Sequence, residues 1–248
     1  MKALAPALLL LAASGCAGRP ASSAVARLAH PDPAERLAAV HALDRSPDPE
    51  ALRPLLRLAL GDADPRVRQS AALALEAARG DSVERLALEE LAGTHDVALA
   101  GWLLESRLEA VRLGAIEALQ GIATPAAWAR LSERMGREDS AGVRVLCARA
   151  LALGLDRGAG PFQGRLAEAL RRGLKDPEVS VRRICARALA LAGEPCAAGV
   201  LAEALREAPE SERGELLELL RVATGEDLGQ DPGPWVKRYG GTPAGAKV

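Results

Sequence analysis

The sequence predicts an all-α protein, an α-solenoid of about five helical hairpins closed by a C-terminal cap. Two observations predict this fold class. Hydrophobic residues make up 49% of the 248-residue chain and aromatic residues only 2%, so the core has to be built from Leu, Ala and Val, which suits packed helices better than strands. A nine-residue pattern also returns at intervals of roughly 30 to 45 residues, which is typical of stacked helical units.

The chain begins with the pattern of a secretion signal. Lys2 precedes an apolar run from Ala3 to Ala13, which is too short to span the ~30 Å hydrocarbon core of a bilayer as a helix. The small residues Ala13-Ser14-Gly15 stand directly before Cys16. This arrangement resembles the lipobox of bacterial lipoproteins, in which the signal is removed and the new N-terminal cysteine receives a lipid.

The lipobox resemblance implies a signal peptide over residues 1–15, a lipid anchor at Cys16 and a short linker over residues 16–25. In that family Ala17, a residue other than Asp after the cysteine, implies sorting to the outer membrane, facing the periplasm. Two or three acyl chains hold a protein firmly to a bilayer, whereas one chain holds it only marginally. An ordinary secretion signal with a chance cysteine is the alternative.

A solenoid of paired helices is predicted for residues 26–225. The repeated pattern has the form x-R-x-x-[AC]-[AVI]-x-A-L, and its small residues and Leu fall on one face of a helix. Asp-Pro or Asp-x-Pro stands ahead of most copies, as at Asp64-Pro65 and Asp176-Pro177, where Asp caps and Pro opens the first turn. The copies carry their arginines at Arg36, Arg68, Arg112, Arg144 and Arg182.

A second helix is predicted after each copy. Residues 94–106 (THDVALAGWLLES) lengthen the gap between the second and third copies and are expected to add a short helix. Residues 156–163 form a Gly-rich loop between the helices of the fourth hairpin. The second helices are predicted over residues 48–60, 81–91, 124–135, 161–174 and 195–208.

The stretches DADPRVRQSAALALEAARG and KDPEVSVRRICARALALAGEP resemble bacterial HEAT repeats of the short type, which are related to the repeats of phycobilin lyases. The resemblance covers about residues 24–220 and points to a fold rather than to a function. It implies a structural ladder of Asp–Arg bonds between neighbouring units. The expected members of this ladder are Asp64 with Arg68 and Asp176 with Arg182.

Residues 226–248 are predicted to form a capping turn and a disordered tail. A last helix over residues 210–223 precedes TGEDLGQDPGPWVKRYGG, which resembles a closing segment found after such repeats in secreted bacterial proteins. The ends of a solenoid have to cover an apolar face. Trp235 and Leu228 are therefore expected to fold back as the cap, and residues 240–248 to be disordered.

No catalytic site, metal or cofactor is predicted. The chain has no HExxH motif and no Cys/His metal spacing, and GAGPFQG at residues 158–164 lacks the spacing of a nucleotide-binding loop. Cys147 and Cys185 replace the alanine of the other copies, so they are predicted to be small core residues. A disulfide between Cys185 and Cys196 is the alternative in an oxidising compartment.

The candidate functional residues lie on the second helices, which line the concave side of this fold. A groove of mixed charge suits a protein segment better than a small molecule. Trp102 lies in the inserted segment and is a candidate binding hot spot, whereas Trp128 is predicted to belong to the core. The candidate partner-binding residues are Arg53, Arg57, Trp102, Arg130, Arg134 and Arg171.

The sequence therefore predicts a lipid-anchored, non-catalytic scaffold that binds a protein partner in the bacterial cell envelope. The formal net charge of −1 provides no basic field for nucleic acid, so no nucleic-acid partner is expected. Two alternatives stay open: an accessory protein resembling phycobilin lyases, and an envelope spacer without a specific partner. The sequence leaves the oligomeric state open.

Overall fold

The computed structural model describes residues 20–43 and 49–241. These residues form α-helices and two short 3₁₀ turns, and no strand occurs among them, which confirms the all-α class. They divide into two compact units, unit 1 up to Val83 and unit 2 from Glu84 onward. Cys16 and the signal peptide lie outside the described residues.

The described residues of unit 1 form four complete helices and the first residues of a fifth, α5 (Asp81–Thr94), which has most of its length in unit 2. Within unit 1, α2 packs against both α1 and α4, and α3 packs against α4. The complete helices of unit 1 are α1 (Pro20–Arg27), α2 (Pro33–Leu43), α3 (Pro49–Gly61) and α4 (Pro65–Ala77).

The linker predicted over residues 16–25 overlaps helix α1, so that part of the prediction was wrong. Ala24 within this helix and Leu28 just beyond its end are only 4% and 3% exposed. Burial of these apolar side chains ties the segment to α2, whereas a flexible tether would leave it in water.

Unit 2 is a solenoid of stacked hairpins. Its first helices, α7, α9, α11 and α13, contact one another in series, and each second helix, α8, α10 or α12, packs against the first helices on both sides of it. The bounds are α6 (Val97–Leu103), α7 (Glu109–Ile122), α8 (Pro125–Arg137), α9 (Ala141–Asp156), α10 (Gln163–Gly173), α11 (Val179–Leu191), α12 (Ala198–Glu207), α13 (Glu210–Thr224) and α14 (Pro232–Tyr239).

The inserted segment contains α6, which matches the short extra helix predicted there and packs against α7 and α8. The two 3₁₀ turns, Gly160–Phe162 and Pro195–Ala197, lead directly into α10 and α12. The second helices of the last two hairpins therefore begin with a tighter turn than the sequence predicted.

Polar caps determine where several helices begin. Asp64 accepts a hydrogen bond from the backbone N–H of Arg66 at 2.8 Å, and Pro65 opens α4, as the Asp-Pro pattern predicted. The same pattern failed at Asp176-Pro177, because α11 begins at Val179 with Glu178 as its N-cap. The carboxylate of Asp176 accepts one hydrogen bond from the backbone N–H of Glu178 and another from Arg144 in the preceding hairpin.

Small residues let the helices approach closely. The alanine position of the repeat is 0% exposed in every copy, and the cysteines occupy it as core residues. Trp128 is also buried, and its indole lies against Gly154, where a β-carbon would overlap the ring nitrogen. The residues at the alanine position are Ala39, Ala71, Ala115, Cys147 and Cys185.

Helix α14 closes the C-terminal end by packing on α12. Trp235 is fully buried and donates its indole N–H to the backbone oxygen of Gly229 at 3.0 Å. Its ring stacks on Tyr239, whose hydroxyl donates to Glu226 at 2.7 Å, and Leu228 is half-buried beside this segment in the chain. The predicted disordered tail lies outside the described residues from position 242 onward.

Candidate protein-binding surface

The repeated arginine holds the start of each first helix. In five copies its Nη1 donates to the backbone oxygens of the residues six and five positions earlier, as Arg144 does to Glu138 at 3.0 Å and Asp139 at 2.8 Å. These carbonyls belong to the turn before the helix, where no helical N–H can reach them. Arg213 in α13 makes one bond of this kind through Nε, to the backbone oxygen of Ala208 at 3.1 Å, so α13 begins like a copy although leucines stand where the copies carry small residues.

Three of these arginines also connect neighbouring hairpins through their remaining nitrogens. Arg36 donates to Asp62 at 2.7 Å and Arg144 donates to Asp176 at 2.9 Å. Arg112 donates to both carboxylate oxygens of Glu138, at 3.1 Å each. Each carboxylate stands six residues before the arginine of its own copy, so a rung joins one copy to the next.

The predicted pairing of the ladder was therefore wrong in two of its bonds. Asp64 bonds to Arg66, whose guanidinium lowers the pKa of Asp64 to about 2, and Arg68 binds the carbonyls of its own turn. Arg182 binds the backbone oxygen of Asp176, while the carboxylate of Asp176 serves Arg144. The side chain of a repeated arginine is long enough to reach a carboxylate of the next hairpin. The turn before its own helix offers it only backbone carbonyls.

Glu138 is the most enclosed carboxylate of the ladder, with a side chain only 1% exposed. Burial raises its pKa, but the backbone N–H of Ser140 together with Arg134 and Arg112 outweighs burial, so the pKa of Glu138 lies below its usual range. Arg134 donates to it at 2.6 Å and also faces Glu105 at 3.5 Å. Arg134, predicted to bind a partner, is 12% exposed and holds α8 in place instead.

The other predicted partner-binding residues are distributed over both units. Arg171 is 35% exposed and bonds to Glu194 at 2.6 Å and Glu168 at 3.3 Å, so its charge is largely neutralised within the protein. Arg130 is exposed on α8 beside Gly101 and faces Glu133 at 3.8 Å. Trp102 is half-buried at the end of α6, while Arg53 and Arg57 are exposed on α3 in unit 1.

A pocket of about 300 Å³ opens between α8 and α10, on the second helices of unit 2. Phe162 forms its aromatic wall and packs toward Trp128, with ring centroids 6.4 Å apart. Arg165 lies over the Phe162 ring at 4.9 Å, in the geometry of a cation–π contact. The lining residues of this α8–α10 pocket are Ala129, Ser132, Phe162, Gly164, Arg165, Glu168 and Arg172.

The α8–α10 pocket has a net positive charge. Glu168 is the acidic residue of the lining, and its carboxylate lies 3.3 Å from Arg171, which is not part of the lining. Arg165 and Arg172 are exposed, and neither forms an ion pair with any residue in the described part of the chain. The pocket therefore presents two uncompensated guanidinium groups beside apolar surface, which suits a ligand with both carboxylates and an apolar side chain.

Phe162, Arg165 and Arg172 are not among the binding residues predicted from the sequence. A usable signal was present, because Phe162 is the chain's one phenylalanine and lies in the Gly-rich loop of the fourth hairpin. Inserted loops often carry function. The sequence did not show which arginines are neutralised, since Glu105 reaches Arg134 from 29 positions away and Glu194 reaches Arg171 from 23 positions away.

The cysteines contribute packing rather than chemistry to this surface. Cys147, Cys185 and Cys196 are free thiols, so the alternative disulfide between Cys185 and Cys196 is not formed. Burial raises the pKa of Cys147 and of Cys185 to about 12, which keeps both protonated at neutral pH. No group of His, Cys, Asp and Glu suited to a metal ion occurs among the residues that the structure describes.

Residues 21–100 match the family model described as HEAT repeats. A crystal structure described as an engineered protein is similar to this chain at 20% identity, with 90% of this chain and 98% of that chain covered and a TM-score of 0.37. None of the curated proteins matches the chain. Over the described residues, no helix combines the length and apolarity needed to cross a membrane.

Proposed function

We propose that this HEAT-repeat protein is a lipid-anchored scaffold of the bacterial cell envelope, which binds an acidic segment of a partner protein in the α8–α10 pocket. The proposal gives the protein no catalytic step. HEAT repeats generally serve as protein-interaction scaffolds. The observation that carries the proposal is the pair of unpaired guanidinium groups, Arg165 and Arg172, beside the Phe162 ring.

The chemistry of the pocket supports a peptide ligand. A carboxylate placed between Arg165 and Arg172 would form charge-assisted bonds, which are about twice as strong as neutral hydrogen bonds. An apolar side chain next to it would cover Ala129 and the free edge of Phe162. A volume of about 300 Å³ is at the lower limit of small-molecule sites, and it fits one or two side chains of a longer segment.

The position of the anchor supports an envelope scaffold. Because α1 begins at Pro20, only a few residues separate it from Cys16, and a fully extended chain would span at most about 14 Å. A lipid on Cys16 would thus hold unit 1 close to the bilayer surface. The repeats would then present their binding surface next to other envelope proteins.

A photocrosslinking amino acid at Ala129, which is exposed and lines the pocket, tests the proposal in intact cells. The wild-type background is expected to give a discrete crosslinked envelope protein. The double variant Arg165→Glu, Arg172→Glu is expected to lose it, because both charges then repel a carboxylate. Arg107→Glu is the matched control, since Arg107 is also exposed but lines neither this pocket nor the groove between α9 and α11.

Two results would contradict the proposal. If the crosslinked protein persisted in the double variant, the guanidinium groups would have no role in binding. If no discrete species formed in the wild type, the spacer interpretation would replace the scaffold. Circular dichroism of the double variant should match that of the wild type, because neither arginine has a structural ion pair in the described part of the chain.

A further inference from the structure

A second surface of unit 2 lies on its first helices, between α9 and α11. A groove of about 480 Å³ runs between these helices, and it is larger than the α8–α10 pocket. This α9–α11 groove is lined by Arg149, Ala152, Leu153, Leu155, Asp156, Gln163, Ile184, Arg187, Ala188, Leu191 and Ala192.

Short side chains create the α9–α11 groove. Ala152 on α9 faces Ala188 and Ala192 on α11, and methyl groups leave a gap between the two helix surfaces. Leu153 and Ile184 are half-buried beside these alanines and give the gap an apolar lining. The volume lies in the range of about 300–1,000 Å³ that is typical of ligand sites.

An apolar stripe continues from the groove across the first helices. Leu153, Leu191 and Val222 occupy the same repeat position on α9, α11 and α13, ten residues after the first residue of each nine-residue copy. Leu191 is 56% exposed and Val222 is 44% exposed. The equivalent residues of the first three copies are Arg45, Ala77 and Gly121, so large apolar side chains occur at this position on α9, α11 and α13 but not in the earlier copies.

One positive charge beside the stripe, that of Arg149, is open to a carboxylate of a ligand. Arg149 and Arg187 hold the same repeat position and line the groove on its two walls. Arg149 forms no ion pair within residues 20–43 and 49–241, whereas Arg187 contacts Glu215 on α13. Asp156 is the acidic residue of the lining. It is the last residue of α9 and lies about two helical turns beyond Arg149.

The spacing of the stripe favours a helical ligand. Packed helices lie about 8–10 Å apart, so apolar side chains on successive first helices repeat at that distance. Seven residues of an α-helix rise about 10.5 Å, which matches one step of the stripe. A helix lying across α9, α11 and α13 can therefore place an apolar residue on each step.

We propose that the α9–α11 groove and the stripe of Leu153, Leu191 and Val222 bind an amphipathic helix of a second partner protein. Its apolar residues recur about every seven positions, and carboxylates one turn away face Arg149. The site lies on the first helices, while the α8–α10 pocket lies on the second helices. The protein can thus hold two different proteins at once, and this site does not depend on the proposed use of the pocket.

A synthetic helical peptide of about 18 residues tests the site, with Leu at every seventh position, Glu one turn from each Leu and a fluorescein label. The protein is the full chain carrying Cys16→Ser, and binding is read by fluorescence anisotropy. Leu191→Glu is expected to weaken binding at least tenfold, because it places a charge in the apolar contact. Arg149→Glu is expected to weaken binding of this peptide about tenfold and to improve binding of a peptide with Lys in place of Glu.

Two variants serve as matched controls. Leu73→Glu changes an equally exposed leucine, 61% exposed on α4 in unit 1, and should leave binding unchanged. Arg107→Glu reverses an exposed charge that lines neither site and should also leave binding of this peptide unchanged. Failure of the groove proposal and failure of the proposed function are therefore distinguishable, because each has its own variant and readout.

Several outcomes would overturn the inference. Absence of peptide binding to the wild type, equal binding of the Lys peptide, or unchanged binding to Leu191→Glu would each do so. A wild-type dimer that becomes monomeric in Leu191→Glu, seen by analytical ultracentrifugation, would assign the stripe to a second copy of the chain. If the wild type floated with phosphatidylglycerol vesicles and Leu191→Glu did not, the stripe would be assigned to the membrane.

Discussion

Replacing Glu138 by Gln is expected to destabilise unit 2 more than any exposed charge change. The Glu138 carboxylate accepts from Arg112 and Arg134, whose side chains are only 11% and 12% exposed. Gln keeps one oxygen for the N–H of Ser140 but provides no charge for the two guanidinium groups. Each charge-assisted bond contributes about 1.5–3 kcal/mol, and breaking a buried ion pair costs about 3–5 kcal/mol.

We therefore expect Glu138→Gln to lower the free energy of unfolding by about 3 kcal/mol, since part of the hydrogen bonding survives. For a chain of this size, 1 kcal/mol shifts Tm by about 2–4 °C, so Tm should fall by about 6–12 °C. Thermal and urea unfolding, followed by circular dichroism, measure both quantities. The control Glu133→Gln changes a 53%-exposed carboxylate on α8, the helix that ends just before Glu138, and should cost less than about 0.5 kcal/mol.

The cost of Glu138→Gln should also depend on pH. The pKa of Glu138 is lowered in the folded protein, so its contribution is complete above the pKa of the unfolded chain and is lost as the pH falls through the folded pKa. The difference between wild type and variant should be constant from neutral pH to about pH 5 and should shrink below about pH 4. Equal costs for Glu138→Gln and Glu133→Gln, or a cost independent of pH, would refute this reasoning.

Three further perturbations test the packing and the anchor. Gly173→Ala should cost about 1–3 kcal/mol because its β-carbon would overlap the sulfur of Cys185, and adding Cys185→Ala should restore part of that loss in urea unfolding; a double variant no more stable than the single one would contradict the clash. Trp235→Ala should cost about 3–5 kcal/mol because the ring is fully buried, and a Tm close to that of the wild type would show that α14 does not act as a cap. Cys16→Ser should move the protein from the membrane fraction to the soluble periplasm or stall its processing, and unchanged fractionation would exclude a lipid anchor.

The positions of the helices were predictable because a helix is encoded locally. Apolar residues three and four positions apart mark the face that becomes buried, and the caps stand next to the helices that they start. The copies at Val67, Val111, Val143 and Val181 accordingly fall within α4, α7, α9 and α11. The inserted helix α6 and the buried ring of Trp128 follow from the same local patterns.

Ion pairs were poorly predictable because their partners come from different helices. Asp176 and Arg182 are close in sequence, yet the carboxylate of Asp176 accepts from Arg144 of the preceding repeat, 32 positions earlier in the chain. Arg134 looked like a surface residue of α8, but Glu105 and Glu138 enclose it. The sequence alone contains no measure of the distance between these helices.

The sequence by itself determined the all-α class, the repeated hairpins and the alanine position that Cys147 and Cys185 fill, because these depend on residue size and on spacing within one helix. Only the tertiary structure decided which arginines are structural and which are available to a ligand. That distinction depends on distances between side chains far apart in the chain, and it is what separates Arg134, closed off by Glu138, from Arg165 and Arg172 at an open pocket.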